Sequence, residues 1–268
     1  MAVARVTRSD DKTATYVYCV AHARRAPALT RSPHGLPGTG PLRALDAGDD
    51  LWLVVADAPL ERYGSAQVEA NLRDLDWVAA CATAHEAVVE HVARAATTIP
   101  LKLFTLFNGD ERALAHIGRL RPALDRAVAR VAGRQEWGIR VHLDEASARR
   151  VQRQRAAKAA AGMTSGTRFL VLKKQEQQAV REALTRGRAD VDATFDRLAQ
   201  AADDARRRPP DNVEGTRLVL DAAFLVPPRR AAAFKRAARE RAGRLADLGY
   251  RLTLSGPWPP YNFVGGTT

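Results

Sequence analysis

Leu51-Trp52-Leu53-Val54-Val55-Ala56, a helix-periodic run from about Asn71 to Ala96, and Ile99-Pro100-Leu101-Lys102-Leu103-Phe104 follow one another in this 268-residue chain. The first run is continuously apolar and reads as a buried strand ended by Pro59. In the middle, Leu75, Val78, Ala82, His85, Val89, Val92 and Ala96 recur at alternating spacings of three and four. They form one stripe, which predicts a long helix lying on a sheet. The last run reads as a strand with proline near its start, where a missing donor is tolerated.

Working outward, Thr15-Tyr16-Val17-Tyr18-Cys19-Val20 is β-branched and aromatic, a first strand, and residues 34–41 form a Gly/Pro loop. Asp110 opens a second helix through about Val131. Trp137, Ile139, Val141 and Leu143 then alternate with Gly138, Arg140 and His142, a strand with one wet face. Strands and long helices in mixed order indicate an α+β fold. Residues 145–208 read as mainly helical, broken near Gly162 to Gly166, with a polar stretch at residues 173–178 that suggests a helical, coiled-coil-like arm. After a linker at Pro209-Pro210, Leu218, Leu220, Ala222 and Phe224 mark a strand closed by Pro227-Pro228. A helix from about Arg229 to Leu248 is capped by Gly249, and Tyr250, Leu252 and Leu254 alternate in a last strand. The expected division is a disordered tail over 1–12, one α+β domain over 13–144 and a second over 145–268.

The composition, 46% hydrophobic and 27% charged, is that of a globular protein. No apolar run reaches membrane-spanning length and residues 1–12 hold no signal-like core, so a cytoplasmic location is expected. Cys19 and Cys81 fit that compartment as buried small hydrophobes. The formal charge of +12 admits a nucleic acid or an acidic partner. Yet the arginines are scattered, and the one tight run, Arg206-Arg207-Arg208, falls where the linker is expected. A basic nucleic-acid-binding protein is therefore the alternative reading, not the first.

Catalytic patterns are missing. His85 and His91 are six apart, about 600° of helical rotation, so they cannot share the face that a zinc helix needs. His85 instead falls on the apolar stripe, where it is expected to donate a hydrogen bond inside the core. Residues 35–40 lack the Gly-Lys-Ser/Thr ending of a phosphate loop, and their proline removes a donor. Gly162-Met163-Thr164-Ser165-Gly166 has its serine out of register with a nucleophile elbow, and Asp203-Asp204 read as solvated helix. No catalytic, cofactor-binding or metal-ligating residue is expected.

The chain closes on Leu254-Ser255-Gly256-Pro257-Trp258-Pro259-Pro260-Tyr261-Asn262-Phe263. Three prolines fix φ and remove three donors, so this segment cannot be a central strand or continue a helix. It holds aromatic rings on a stiff backbone, as a docked element does. The pattern Leu-x-Gly-Pro-Trp-Pro-Pro-Tyr-x-Phe resembles the GvpF/GvpL family of gas vesicle accessory proteins. Other stretches agree in order. Tyr16 to Val20 resembles the family's opening strand, and Leu75-x-Trp77 with His85 and Val88 its first long helix. Glu136-Trp137-Gly138-Ile139-Arg140-Val141 is similar to its Glu-Trp-x-Val-Lys-Val strand. Pro100-Leu101 with Thr105 and Phe107 is similar to its Pro-Leu-Arg-Phe-Gly-Thr-x-Phe. There Lys102 replaces the arginine, Leu103 the phenylalanine and Phe104 the glycine. The resemblance implies a ferredoxin-like N-terminal domain and a related C-terminal domain carrying a helical arm. It implies a non-enzymatic, chaperone-like role in gas vesicle assembly, with the shell protein and other accessory proteins as partners. Gly256, Pro257, Trp258, Pro259, Pro260, Tyr261 and Phe263 have two readings: a wedge against a domain surface, or a partner-docking ridge.

Overall fold

The computed structural model describes residues 12–159, 185, 187–209 and 217–265. The expected tail up to residue 11, the part of the expected 145–208 arm over 160–184 with its Gly162–Gly166 break, and Pro210 lie outside the described residues. The chain is α+β with two antiparallel sheets, each in its own compact unit. One unit comprises Met1–Ala132 with Pro259–Thr268, the other Gly133–Trp258.

In the first unit β1 (Thr13–His22), β2 (Arg43–Asp46), β3 (Leu51–Pro59) and β4 (Thr97–Pro100) take the order β2-β3-β1-β4, and β5 (Leu106–Phe107) also pairs with β1. Central β1 is buried from Ala14 to Ala21, so its aromatic and β-branched residues are covered on both faces. Tyr16, Tyr18, Val54 and Ala56 share a core with Tyr63 of α1 (Leu60–Tyr63) and with Cys81, Val88, Val89 and Val92 of α3 (Leu75–Ala93). A short α2 (Ser65–Asn71) separates those helices and buries no residue of its own. The loop over 23–42 packs Leu36 into the same core. Tyr18 Oη accepts from Leu36 N at 2.8 Å and Tyr63 Oη donates to Pro37 O at 2.7 Å. Further buried groups come from α4 (Asp110–Arg119) and α5 (Arg121–Val131): Ala113, Ile117, Leu124, Ala127 and Val131. Cys19 and Cys81 are free and buried, and burial pushes both thiols above their usual pKa.

Several expectations change here. The helix expected from about Asn71 starts instead at Leu75, because Asp74 caps α3, its carboxylate accepting from Asp76 N and Trp77 N. Leu75, expected on the buried stripe, is 78% exposed, and Ala82 is exposed as well. The buried face runs instead through Trp77, Cys81, His85, Val88 and Val92. Trp77 is drawn in by stacking on Phe104, with centroids 5.1 Å apart and planes at 10°. The strand expected over 99–104 ends at Pro100. Thr105 N bonds back to Lys102 O at 3.2 Å in a turn whose third residue, Phe104, has φ +64°, a backbone incompatible with a strand. The helix expected from Asp110 to Val131 breaks at Leu120, because Pro122 has no N–H to give the Gly118 carbonyl and clashes with it.

The second unit is built from β6 (Gln135–Leu143), α6 (Glu145–Ala159), α7 (187–199), β7 (Asp204–Arg208), β8 (Arg217–Val226), α8 (Pro228–Ala246) and β9 (Tyr250–Trp258). Its sheet order is β7-β8-β6-β9. Trp137, Ile139, Val141, Leu220, Phe224, Phe234 and Leu245 form its core. Buried Arg241 of α8 donates from Nε to Thr194 Oγ1 and from Nη2 to the Asp190 carbonyl, each at 2.9 Å, tying α8 to α7. Two boundaries move. The 137–143 strand, expected in the first domain, pairs with β8 and β9 and so belongs to the second unit. Arg206-Arg207-Arg208, expected beside a linker after helix, is the edge strand β7. Arginines suit that edge, since charged side chains discourage pairing with another chain.

Candidate interaction surface

The closing segment is divided between the units. Gly256, Pro257 and Trp258 finish β9, an edge strand, where the missing donor of Pro257 is tolerated. A bulge sets Glu136 opposite Trp258 and Gly138 opposite Ser255. Gly256 sits in it at φ +114°, and a Cβ there would meet the Glu136 carbonyl at 2.8 Å, so only glycine fits. Pro259, Pro260, Phe263 and Val264 are buried in the first unit, around a 3-10 turn at Tyr261–Phe263. Trp258 and Tyr261 remain 36% and 37% exposed. Of the seven motif residues, Pro259, Pro260 and Phe263 are buried anchors, while Trp258 and Tyr261 keep part of their rings exposed.

Tyr261 and Val264 form one wall of a groove in the first unit, with a volume of about 500 Å³. Ala82, Pro100, Leu101 and Leu103 supply apolar lining opposite them, and Glu86 and Lys102 add one charge of each sign. Partial burial, together with nearby Glu90, raises the pKa of Glu86. His85 also contributes. Its Nδ1 lies 2.7 Å from Tyr16 Oη, which already accepts from Phe104 N at 3.3 Å. This bond ties the imidazole of α3 to the central strand β1 inside the core, where His85 was expected to make a hydrogen bond. Burial lowers its pKa to about 4, partly offset by the Leu101 carbonyl, which lies nearby but outside hydrogen-bond geometry with Nε2. The imidazole is neutral at physiological pH.

A second apolar shelf in the same unit was not expected from the sequence. Leu60, Val68, Leu72, Phe104 and Leu106 line a cavity of about 410 Å³, with Leu72 51% exposed. The only signal in the sequence was Phe104 at a position where the family pattern has glycine. The other singled-out positions serve structure. His91 bonds the Ala28 carbonyl at 3.1 Å, and the loop of residues 34–41 is held through Leu36 and Pro37. Asp203 pairs with Arg134 at 2.6 Å and Asp204 belongs to β7. Among the described residues no group of three or more His, Cys, Asp or Glu is placed to hold a metal ion. None of their helices is long and apolar enough to cross a membrane.

Residues 14–265 match the profile of the family described as gas vesicle synthesis protein GvpL/GvpF. Gas vesicle protein L of Streptomyces sp. (strain CB03234) is 32% identical over 257 residues, covering 93% of this chain and 92% of that protein. Two crystal structures share the fold, each at 18% identity. Gas vesicle protein GvpF from Anabaena sp. PCC7120 has a TM-score of 0.66, covering 94% of this chain and 96% of its own. GvpF from Microcystis aeruginosa has a TM-score of 0.64, with 94% and 98% covered. With the match spanning both sheets and the closing segment, the chain belongs to the GvpL/GvpF family of gas vesicle synthesis proteins.

Proposed function

We propose that this chain is a non-enzymatic accessory protein that acts in the cytoplasm during gas vesicle nucleation. It binds the hydrophobic shell protein and other accessory proteins of the vesicle. Family membership gives the setting, and one observation carries the surface: the apolar groove walled by Tyr261 and Val264, in which the closing segment presents a ring over anchored prolines. A shell subunit with an apolar face aggregates unless a soluble partner covers it, and a groove of this kind offers such cover. The same reading treats both units as ferredoxin-like variants, the second with a helical arm within residues 145–208.

The test is co-expression with the shell protein followed by capture on the tagged chain, with nuclease present. Tyr261→Ala and Leu103→Asp are expected to keep the wild-type melting temperature and lose the shell protein. Phe263→Ala, at a buried anchor, is expected to lower the melting temperature first. Undiminished capture by both groove variants would overturn the reading.

A further inference from the structure

In the sheet of the second unit one face is packed by helices, and on the other Glu136, Gly138, Ala223 and Leu225 are buried while Arg140, Arg251 and Thr253 are exposed. Trp137, Ile139, Val141 and Leu143 of β6 point to the helices, so Arg140 and His142 point the other way. The pairing register carries that face across all four strands. Arg208 of β7 stands opposite Asp221 of β8, Asp221 opposite Arg140 of β6, and Arg140 opposite Thr253 of β9. In the neighbouring row, His142 stands opposite Arg251.

Asp221 is recessed, its side chain 9% exposed, and makes its close ion pair with Arg208. Arg140 lies 3.6 Å from the second carboxylate oxygen and is 59% exposed. Arg251 is exposed too. Within these two rows three guanidiniums face one carboxylate, 3 − 1 = +2, with buried Glu136 farther along the same side of β6, and His142 adds no charge at neutral pH, because burial, Arg251 and Arg140 lower its pKa against the pull of Asp221. Strand spacing puts Arg208 and Arg140 roughly 10 Å apart, two strands away. Along an α-helix, residues seven apart are separated by about 10.5 Å on one face.

We propose that the exposed Arg140–Arg251 end of this face docks an acidic helix of a partner polypeptide, its Asp or Glu side chains paired with Arg140, Arg251 and the outer edge of Arg208. The occupant is chosen by charge and by spacing. A nucleic acid on a sheet is held by bases stacked on aromatic rings, and these two rows contain no Phe, Tyr or Trp. The surface lies wholly in the second unit, so it can fail or hold independently of the Tyr261 groove.

The experiment titrates the full chain with a fluorescent alanine-based helical peptide bearing glutamate at i, i+4 and i+7, and separately with a single-stranded oligonucleotide of equal charge. Arg140→Gln/Arg251→Gln is compared with Arg236→Gln/Arg239→Gln, which removes the same charge from the exposed side of α8. The sheet-face variant is expected to weaken peptide binding about tenfold at roughly 0.15 M salt, and the α8 variant no more than about twofold. Equal losses in the two variants, no peptide binding by the wild type, or tighter binding of the oligonucleotide at the same face would each overturn the proposal.

Discussion

The two sheets share a plan and differ in what covers them. Counting strands within each unit, both run 2-3-1-4 with every pairing antiparallel. In each, the first strand is central. In the first unit that strand, β1, is buried on both faces from Ala14 to Ala21; in the second, β6 is buried on both faces over 136–139 and opens at Arg140 and His142. The connection from first to second strand differs as well. It is a Gly/Pro loop pinned by two tyrosines in the first unit, and it includes α6 and α7 in the second. One arrangement of strands thus supports a central strand covered along most of its length, and one that leaves a charged end exposed at Arg140.

The strongest test of that contrast is a change of charge in each central strand. Val20→Asp, at a fully buried site of β1, is expected to cost about 4 kcal/mol or more, because no partner awaits the carboxylate. Arg140→Thr in β6 should stay within about 0.5 kcal/mol in urea unfolding. A similar penalty at both sites would abolish the distinction.

Next in size is an acid sensitivity belonging to the first unit. His85 is held neutral with a pKa of about 4, below its usual 6.5, so the unfolded chain binds the extra proton first as pH falls. Its contribution is complete above about pH 6.5, declines on acidification and is gone near pH 4, a loss of about 3 kcal/mol. His85→Gln should flatten this slope in urea titrations at pH 7 and 4.5; an unchanged slope would place the sensitivity elsewhere.

The loop is tested by Tyr18→Phe, which leaves the buried Leu36 N–H unpaired and should cost about 1–3 kcal/mol. Proteolysis within residues 23–42 should quicken, while cleavage in the second unit keeps its rate. The smallest effect is expected for Phe104→Gly. It relieves a left-handed backbone worth about 1–2 kcal/mol and forfeits a Trp77 stack of about 0.5–1.5 kcal/mol. The net change should be within about 1 kcal/mol, and a larger loss would show that Trp77 depends on this ring for its inward position.

Local chemistry explains what could be read early. The strands around Tyr16, Val54, Ile139 and Leu220 lie where apolar runs and alternation put them, and Gly249 ends α8 at φ +87° as a helix cap does. The misread places are those where two residues distant in sequence compete. Leu75 satisfied the helical spacing as well as Trp77 did, but Phe104 supplied a ring for only one of them. Arg206, Arg207 and Arg208 read as linker because their strand is an edge, where charge replaces alternation. The seven closing residues were visible as a rigid motif, whereas the groove beside Tyr261 needed Ala82 and Leu103 from elsewhere in the chain.

By itself, then, the sequence determined the elements whose causes are local: apolar periodicity, proline and glycine punctuation, and a proline-rich closing motif that identifies the family. Tertiary structure decided the register and the covering of each face. Whether Arg140 meets Asp221, and whether Leu75 or Trp77 turns inward, depends on which surface lies opposite, and no window along the chain contains that surface.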